Sequence, residues 1–480
     1  MSDDEMIDDG IPDPSISEAT KYNRRDVLRM GLQAGAALGV AGLGGLTFVG
    51  GSDAARLPTV VPKTAPTIPG AEHVPEWTPY PYARKQRRYR WEQLAPRHRA
   101  KPTGVTLHTI GLGVTVQDRF FNEFTRRTGH KVAGKVSTLT DMINEWLAGG
   151  ANKYDTLETN ASRNPAVYAA GLVADVPVTA IVPWKHARDT FTSPHALGYK
   201  TVDGWPLKVI WKDPLHQTTF MLVPQTYNCD SVAYRIDLIG HDIDTWGALL
   251  DPKYKGKVGI LNDSLLTPGW AAGYMAYHNM IHPAPKDTSN LTHQQLDQVI
   301  NYLSQKKKAG QFRVIWNDYG QCVNLMASGE CWLTDGWNPV VEDVKKQGVA
   351  CKYATPKEGF TAWFHGIAVQ KNTAYPDAVL DYINFCLEGW WGAEVATQGY
   401  YSPTTCCDAY LKLRHTTSKK YTDYQWWYQG GSSPRPKKGW PLTGRDTGSY
   451  TTRWSNIMHW EAWPDDPDYY AKRWNDFLSA

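Results

Sequence analysis

The run VTLHTIGLGVTVQDRFFNEFTRRTGHKVAGKVSTLTDMINEWLAGGANKYDTLETN, residues 105–160, sets the fold class. VTLHTIG (105–111) has the length and β-branched content of a strand. After it, Val116, Phe120, Phe121 and Phe124 recur at helical spacing. HKVAGKVS (130–137) reads as a second strand and LTDMINEWLAGG (139–150) as a second helix, stopped by paired glycines. KYDTLETN (153–160) supplies a third strand and a loop, and PAVYAAGL (165–172) a further short helix. Strand and helix in alternation predict an α/β fold on a parallel sheet. In such a sheet, ligands sit beyond the carboxyl ends of the strands.

Downstream, DTWGALLDPKYKGKVGILND (244–263) predicts a short helix, a lysine-rich turn and a strand that ends at Asn262 and Asp263. Helices are expected at 293–305 and 320–327, and one long or two shorter helices between Asp377 and Gly399. The last seventy residues, with Trp426–Trp427, read as irregular chain packed by its aromatic rings.

Upstream, KYNRRDVLR (21–29) precedes a glycine-rich apolar run from Met30 to Val49, broken only by Gln33 and Thr47. Paired arginines before a mild hydrophobe have the pattern of a twin-arginine export signal, expected to occupy residues 1–55. An N-terminal membrane anchor is the alternative, since the run is about long enough to span a bilayer. Residues 56–103, rich in proline and carrying ARKQRRYR, predict an extended linker.

With 480 residues and 42% apolar content the chain can build two lobes. A net charge of +3 does not suggest a dedicated nucleic-acid binder. Seven cysteines leave at least one outside any intrachain pairing, and a link from the chain after Tyr401 to an earlier segment stands beside buried free thiols. No phosphate-loop, nucleophile-elbow or H-E-x-x-H pattern occurs, and no histidines, His216 and His365 included, stand at a defensible metal-ligand spacing. No cofactor or metal is expected, and binding is favoured over turnover.

Several stretches carry a family resemblance. RFFNEFTRRTGHKV (119–132), TWGALLDPKYKGKVGILND (245–263), NLMASGECWLTDGWNPV (324–340) and above all TPKEGFTAWFHGIAVQKNTAYPDAVLDYINFCLEGWWGAEVATQGYYSPTT (355–405) resemble the periplasmic solute-binding proteins of ABC transporters, in their spermidine/putrescine-binding branch. The resemblance implies a type II-like two-lobed periplasmic binding protein fold with hinge strands and a central cleft. One lobe would comprise residues 104–222 and 364–401, the other 223–363 and 402–480. It also implies a periplasmic monomer that hands a small organic solute to an inner-membrane permease; the paired arginines Arg24 and Arg25 make the twin-arginine translocase its expected export partner. An exported enzyme on the same fold, or a carbohydrate or cell-envelope binding module, are the competing readings.

By the same resemblance, Trp337 and Trp363 match ligand-stacking aromatics and Asp263 matches the first of a carboxylate pair. His365 and Leu266 stand where the branch has carboxylates, which implies a ligand other than a linear polyamine. Asp335, two residues before Trp337, would share its face in a strand. Asn262, Asn160 and Ser162 complete the candidate set as cleft hydrogen-bonding groups, with Glu158 a further acidic candidate.

Overall fold

The computed structural model describes residues 104–193, 206–407, 410 and 453–480. The expected export signal, the linker and Trp426–Trp427 lie outside these. The first wing follows the sequence pattern: β1 (Thr106–Gly111), α1 (Asp118–Thr128), β2 (Lys131–Val136), α2 (Leu139–Leu147) and β3 (Thr156–Asn160). β1 lies between β2 and β3, parallel to both. Phe120, Phe121 and Phe124 are the buried face of α1, worth about 1.5–3 kcal/mol each in apolar burial. Gly129 ends the helix at φ 79°, a left-handed cap that a side chain would strain.

A two-stranded ribbon, β4 (Val176–Pro177) with β5 (Thr219–Phe220), leads to the long strand β6 (Val223–Tyr234). The second wing comprises β7 (Val258–Leu261), α3 (Leu266–Tyr277), α4 (His293–Lys308), β8 (Phe312–Trp316), α5 (Tyr319–Ser328), β9 (Leu333–Gly336) and α6 (Asn338–Lys346). β7 is parallel to both β8 and β9. A short β10 (Lys352–Tyr353) returns antiparallel to β6, and β11 (Phe360–Val369) crosses back. The stretch from Asp377 to Gly399 resolves into two helices, α7 (Pro376–Cys386) and α8 (Gly389–Thr397).

Ten strands form one sheet: eight in the order β2-β1-β3-β11-β6-β9-β7-β8, with β10 attached to β6 and β12 (Ile457–Trp460) to β11. Its parallel wings are joined through the antiparallel pair β6 and β11. This is a mixed α/β sheet with a change of strand sense at its centre, where an open sheet makes its crevice.

The chain end departs from the sequence reading. Residues 453–480 are ordered: β12 (Ile457–Trp460) runs parallel to β11, and α9 (Pro467–Ser479) packs on α4. Asp466 caps α9 by accepting from Tyr469 N, and Trp474 and Phe477 are its buried face. Tryptophans spaced for packing concealed a strand only four residues long. Cys229, Cys322, Cys331 and Cys386 are buried free thiols. Among the described residues no helix is long and apolar enough to cross a membrane.

Candidate functional site

Strand alternation gathers the site on one face of the central strands. Thr361 of β11 pairs with Asp230 of β6, Trp363 with Asn228, and His365 with both Thr226 of β6 and Asn160 of β3. Val232 of β6 pairs with Asp335 of β9. Side chains two residues apart share a face, as do directly opposed residues. The sheet therefore presents Thr361, Trp363, His365, Asp230, Asn160 and Asp335 together where its two wings meet.

The hydrogen bonds bear this out. Trp363 Nε1 donates to Asp230 Oδ1 at 2.8 Å. The Trp363 and His365 rings lie 4.7 Å apart, centroid to centroid. Asp335 accepts from Trp270 Nε1 at 2.9 Å, from Leu261 N at 2.8 Å and from Thr267 Oγ1 at 3.3 Å. Asn160 Nδ2 donates to Glu461 at 2.8 Å, and Ser162 Oγ lies 3.2 Å from the other oxygen of that carboxylate. Glu461 follows β12, and its N–H is tied to Ala362 O of β11 at 2.7 Å.

A cavity of about 10 Å³ lies between the central strands and the second wing, lined by Asp230, Asp335, Thr361 and the indoles Trp246, Trp270 and Trp337. That is room for one water- or ammonium-sized group. Trp246 and Trp270 are stacked, with centroids 5.4 Å apart, and Trp337 is braced edge-on by Trp316 at 5.3 Å. A larger hollow of about 480 Å³ runs along the segment 241–254 and is lined by Tyr274, His278 and Tyr302. Of the acidic groups along it, Asp242 pairs with Lys352 at 2.6 Å, Asp251 accepts from Lys253 N, and Asp244 completes the lining.

Asp230 and Asp335 form no ion pair with a basic side chain among the described residues. Burial pushes the Asp230 carboxyl well above its ordinary range, helped by the negative charges of Glu461 and Asp335 and opposed by the Trp363 hydrogen bond. Burial raises Asp335 to about 7, with Asp263 adding to the rise. It raises Glu461 to about 7 against the pull of Arg163, with Asp263 again acting upward. Such groups titrate upward because a lone carboxylate away from water is costly. A cation among them would reverse that cost. Burial holds His365 down near 3, so it is a neutral imidazole.

The remaining sequence candidates divide. Asp263 is buried but does not line the cavity; its Oδ1 accepts from Leu265 N and Leu266 N ahead of α3. Asn262 faces the chain end: its Oδ1 accepts from Trp474 Nε1 at 2.7 Å and its Nδ2 donates to Asn317. Glu158 is held within the first wing by Tyr382, Gln225 and Thr109. Sequence reasoning missed Asp230, Glu461, Trp246 and Trp270. Asp230 was legible through its alternation with Asn228 and Thr226 once β6 was recognised as a strand. Glu461 was hidden in a tail read as irregular.

Residues 120–424 match the family model of the bacterial extracellular solute-binding proteins. No curated relative matches the chain by sequence. Among solved structures, the chain is similar to the spermidine/putrescine ABC transporter substrate-binding protein PotD from Streptococcus pneumoniae, at 13% identity and a TM-score of 0.55, over 78% of this chain and 97% of that one. It is similar to the lipoprotein Tp0655 (TpPotD) of Treponema pallidum at 13% identity and a TM-score of 0.55, over 78% and 99%. An ABC transporter substrate-binding protein from Bradyrhizobium japonicum aligns at 13% identity and a TM-score of 0.51, over 78% and 99%. These likenesses establish the two-lobed periplasmic binding protein fold.

Proposed function

The chain belongs to the bacterial extracellular solute-binding proteins, the kind that serve ABC transporters, and we propose that the solute it captures is a small organic cation. The observation that carries this reading is the pairing of Asp230 and Asp335 in one cavity with Trp246, Trp270 and Trp337. Carboxylates buried without a cation beside them are met by an ammonium or guanidinium group through charge-assisted hydrogen bonds. Indole faces add cation–π attraction and cover the apolar part of such a solute. The two substitutions that argued against a polyamine, His365 and Leu266, are offset by Asp230 and Glu461, so the branch resemblance regains chemical support.

The rest of the reading follows the family. The solute is bound without turnover, between lobes that divide within β6 and β11, and passed to the permease of an ABC importer. Export by the twin-arginine route and action as a monomer belong to the same proposal. A thermal-shift screen of amines, guanidines, amino acids, organic acids and sugars tests it, because a ligand raises the unfolding temperature by mass action. Stabilisation confined to cationic solutes is the expected result. Stabilisation by sugars or organic acids alone would refute it.

A further inference from the structure

Residues 453–480 lie beyond the family-matched segment 120–424. We propose that Glu461 and Trp463 form an interlobe latch: carried on the second wing by this C-terminal segment, they grip the end of β3 on the first wing and hold the lobes together. The proposal rests on lobes that divide within β6 and β11, and is independent of what the solute is.

The segment is anchored on the second wing along its length. In β12, His459 Nδ1 lies 2.7 Å from Thr288 Oγ1, and Met458 fills the space that Gly273 leaves open on α3. In α9, Tyr469 and Arg473 both meet Asp297 of α4, and Trp474 donates to Asn262. Lys307 Nζ of α4 closes the end of α9 by donating to Phe477 O and Leu478 O, at 3.0 and 2.6 Å.

What the segment grips belongs to the other wing. β3 and β12 lie end to end along one edge of β11: β3 runs antiparallel beside residues 365–369, and β12 runs parallel beside 360–362. Their carboxyl ends therefore face each other across Trp363 and Phe364. Asn160, the last residue of β3, donates to Glu461 at 2.8 Å, and Ser162 Oγ donates to its other carboxylate oxygen at 3.2 Å. All three side chains are buried, so parting the wings strips a carboxylate of both donors. One residue further on, the Arg163 guanidinium lies over the Trp463 ring at 4.7 Å, a cation–π contact between the same two elements. The cavity beside the central strands has room for one water-sized group, so a larger solute enters only when the latch yields.

Pulsed electron paramagnetic resonance on the full chain, with no solute added, tests the latch. Lys131→Cys on β2 and Lys308→Cys at the end of α4 are exposed and carry the spin labels, whereas all seven native cysteines are buried. The wild type should give one narrow distance distribution. Glu461→Ala, and separately Trp463→Ala, should raise the population at longer distance by roughly tenfold. Arg163→Ala, made on the first wing, should open the lobes as far as Trp463→Ala does, and the double variant no further, since both remove one contact. If Glu461→Ala fails to fold, Ser162→Ala, which deletes one of the two donors, carries the same test. Distributions unchanged in the variants, a wild type already spread over both distances, or additive opening in the double variant overturns the latch. None of these measurements uses a solute, so the cation reading stands or falls separately.

Discussion

Trp363 of β11 donates its indole N–H to Asp230 of β6, at 2.8 Å, across the pair of strands that joins the two wings. The bond ties the two central strands to each other and holds a buried carboxylate that lines the cavity. Trp363→Phe keeps the ring and deletes the donor. Stability should fall by about 1–2 kcal/mol and amine affinity by roughly tenfold. Urea unfolding and calorimetric titration of the same variant check both. An unchanged affinity would show that the indole N–H does not position Asp230.

Amine affinity should rise with pH. Asp335 and Glu461 are both raised to about 7 by burial, so a cation must displace protons from them below that pH. His365, held near 3, and His459, near 4, stay neutral above pH 5 and contribute no opposing charge. From pH 5.5 up to about 7 an alkylamine, itself charged throughout, should gain up to about tenfold in affinity per pH unit for each proton released, and the gain should level off above. Titrations in buffers of different ionisation enthalpy count those protons. A flat profile would contradict the assignment.

The same shift sets the sign of a stability effect. Asp335 is raised in the folded state from 3.8 to about 7, so the stability it confers is complete below its unfolded pKa and is lost as pH rises through 7. Asp335→Asn removes the titration and keeps one acceptor oxygen for Leu261 N or Trp270 Nε1. Relative to wild type, the ligand-free variant should gain on the order of 2–4 kcal/mol between pH 5 and pH 8. Buried His365 and His459 act in both proteins alike, so the difference isolates Asp335. Parallel stability curves would exclude it as the titrating group.

Gly359 offers a route to the site without touching it. Its φ is 112°, and a Cβ there would lie 2.9 Å from Asn456 O and 3.0 Å from Met458 N, both backbone atoms at the start of β12. Gly359→Ala should therefore unseat β12 and displace Glu461, lowering the unfolding temperature by several degrees. Hydrogen exchange at residues 457–461 would report the loosening. Protection unchanged from wild type would show that β12 does not depend on this contact.

Much of the fold was legible because both wings repeat local signals. Phe120, Phe121 and Phe124 mark one helix face, Gly129 its stop, and the strand runs are bounded by turn residues. Of the residues expected in the site, Trp337, Trp363, His365, Asp335, Asn160 and Ser162 are brought together around the central strands, which makes them a candidate site. Asp230 was not singled out because residues 223–234 were not read as a strand; within β6 Thr226, Asn228 and Asp230 alternate with Tyr227 and Cys229, and only the strand assignment gives that alternation a face. Glu461 depends on a parallel pairing between residues nearly a hundred positions apart, and no local pattern encodes such a contact. Asn262 has the composition of a ligand group, but its partners, Trp474 and Asn317, are set by the docking of α9.

The central claim is that Asp230, among the indoles, anchors a cationic solute. Calorimetric titration of n-butylamine into wild type and Asp230→Asn, at pH 8 and low salt, tests it most directly. Saturable one-to-one binding by the wild type and a loss of roughly a hundredfold in the variant are predicted, since a buried charge-assisted contact is removed. Equal binding by the two proteins, or wild-type binding of a neutral sugar in preference to the amine, would contradict it.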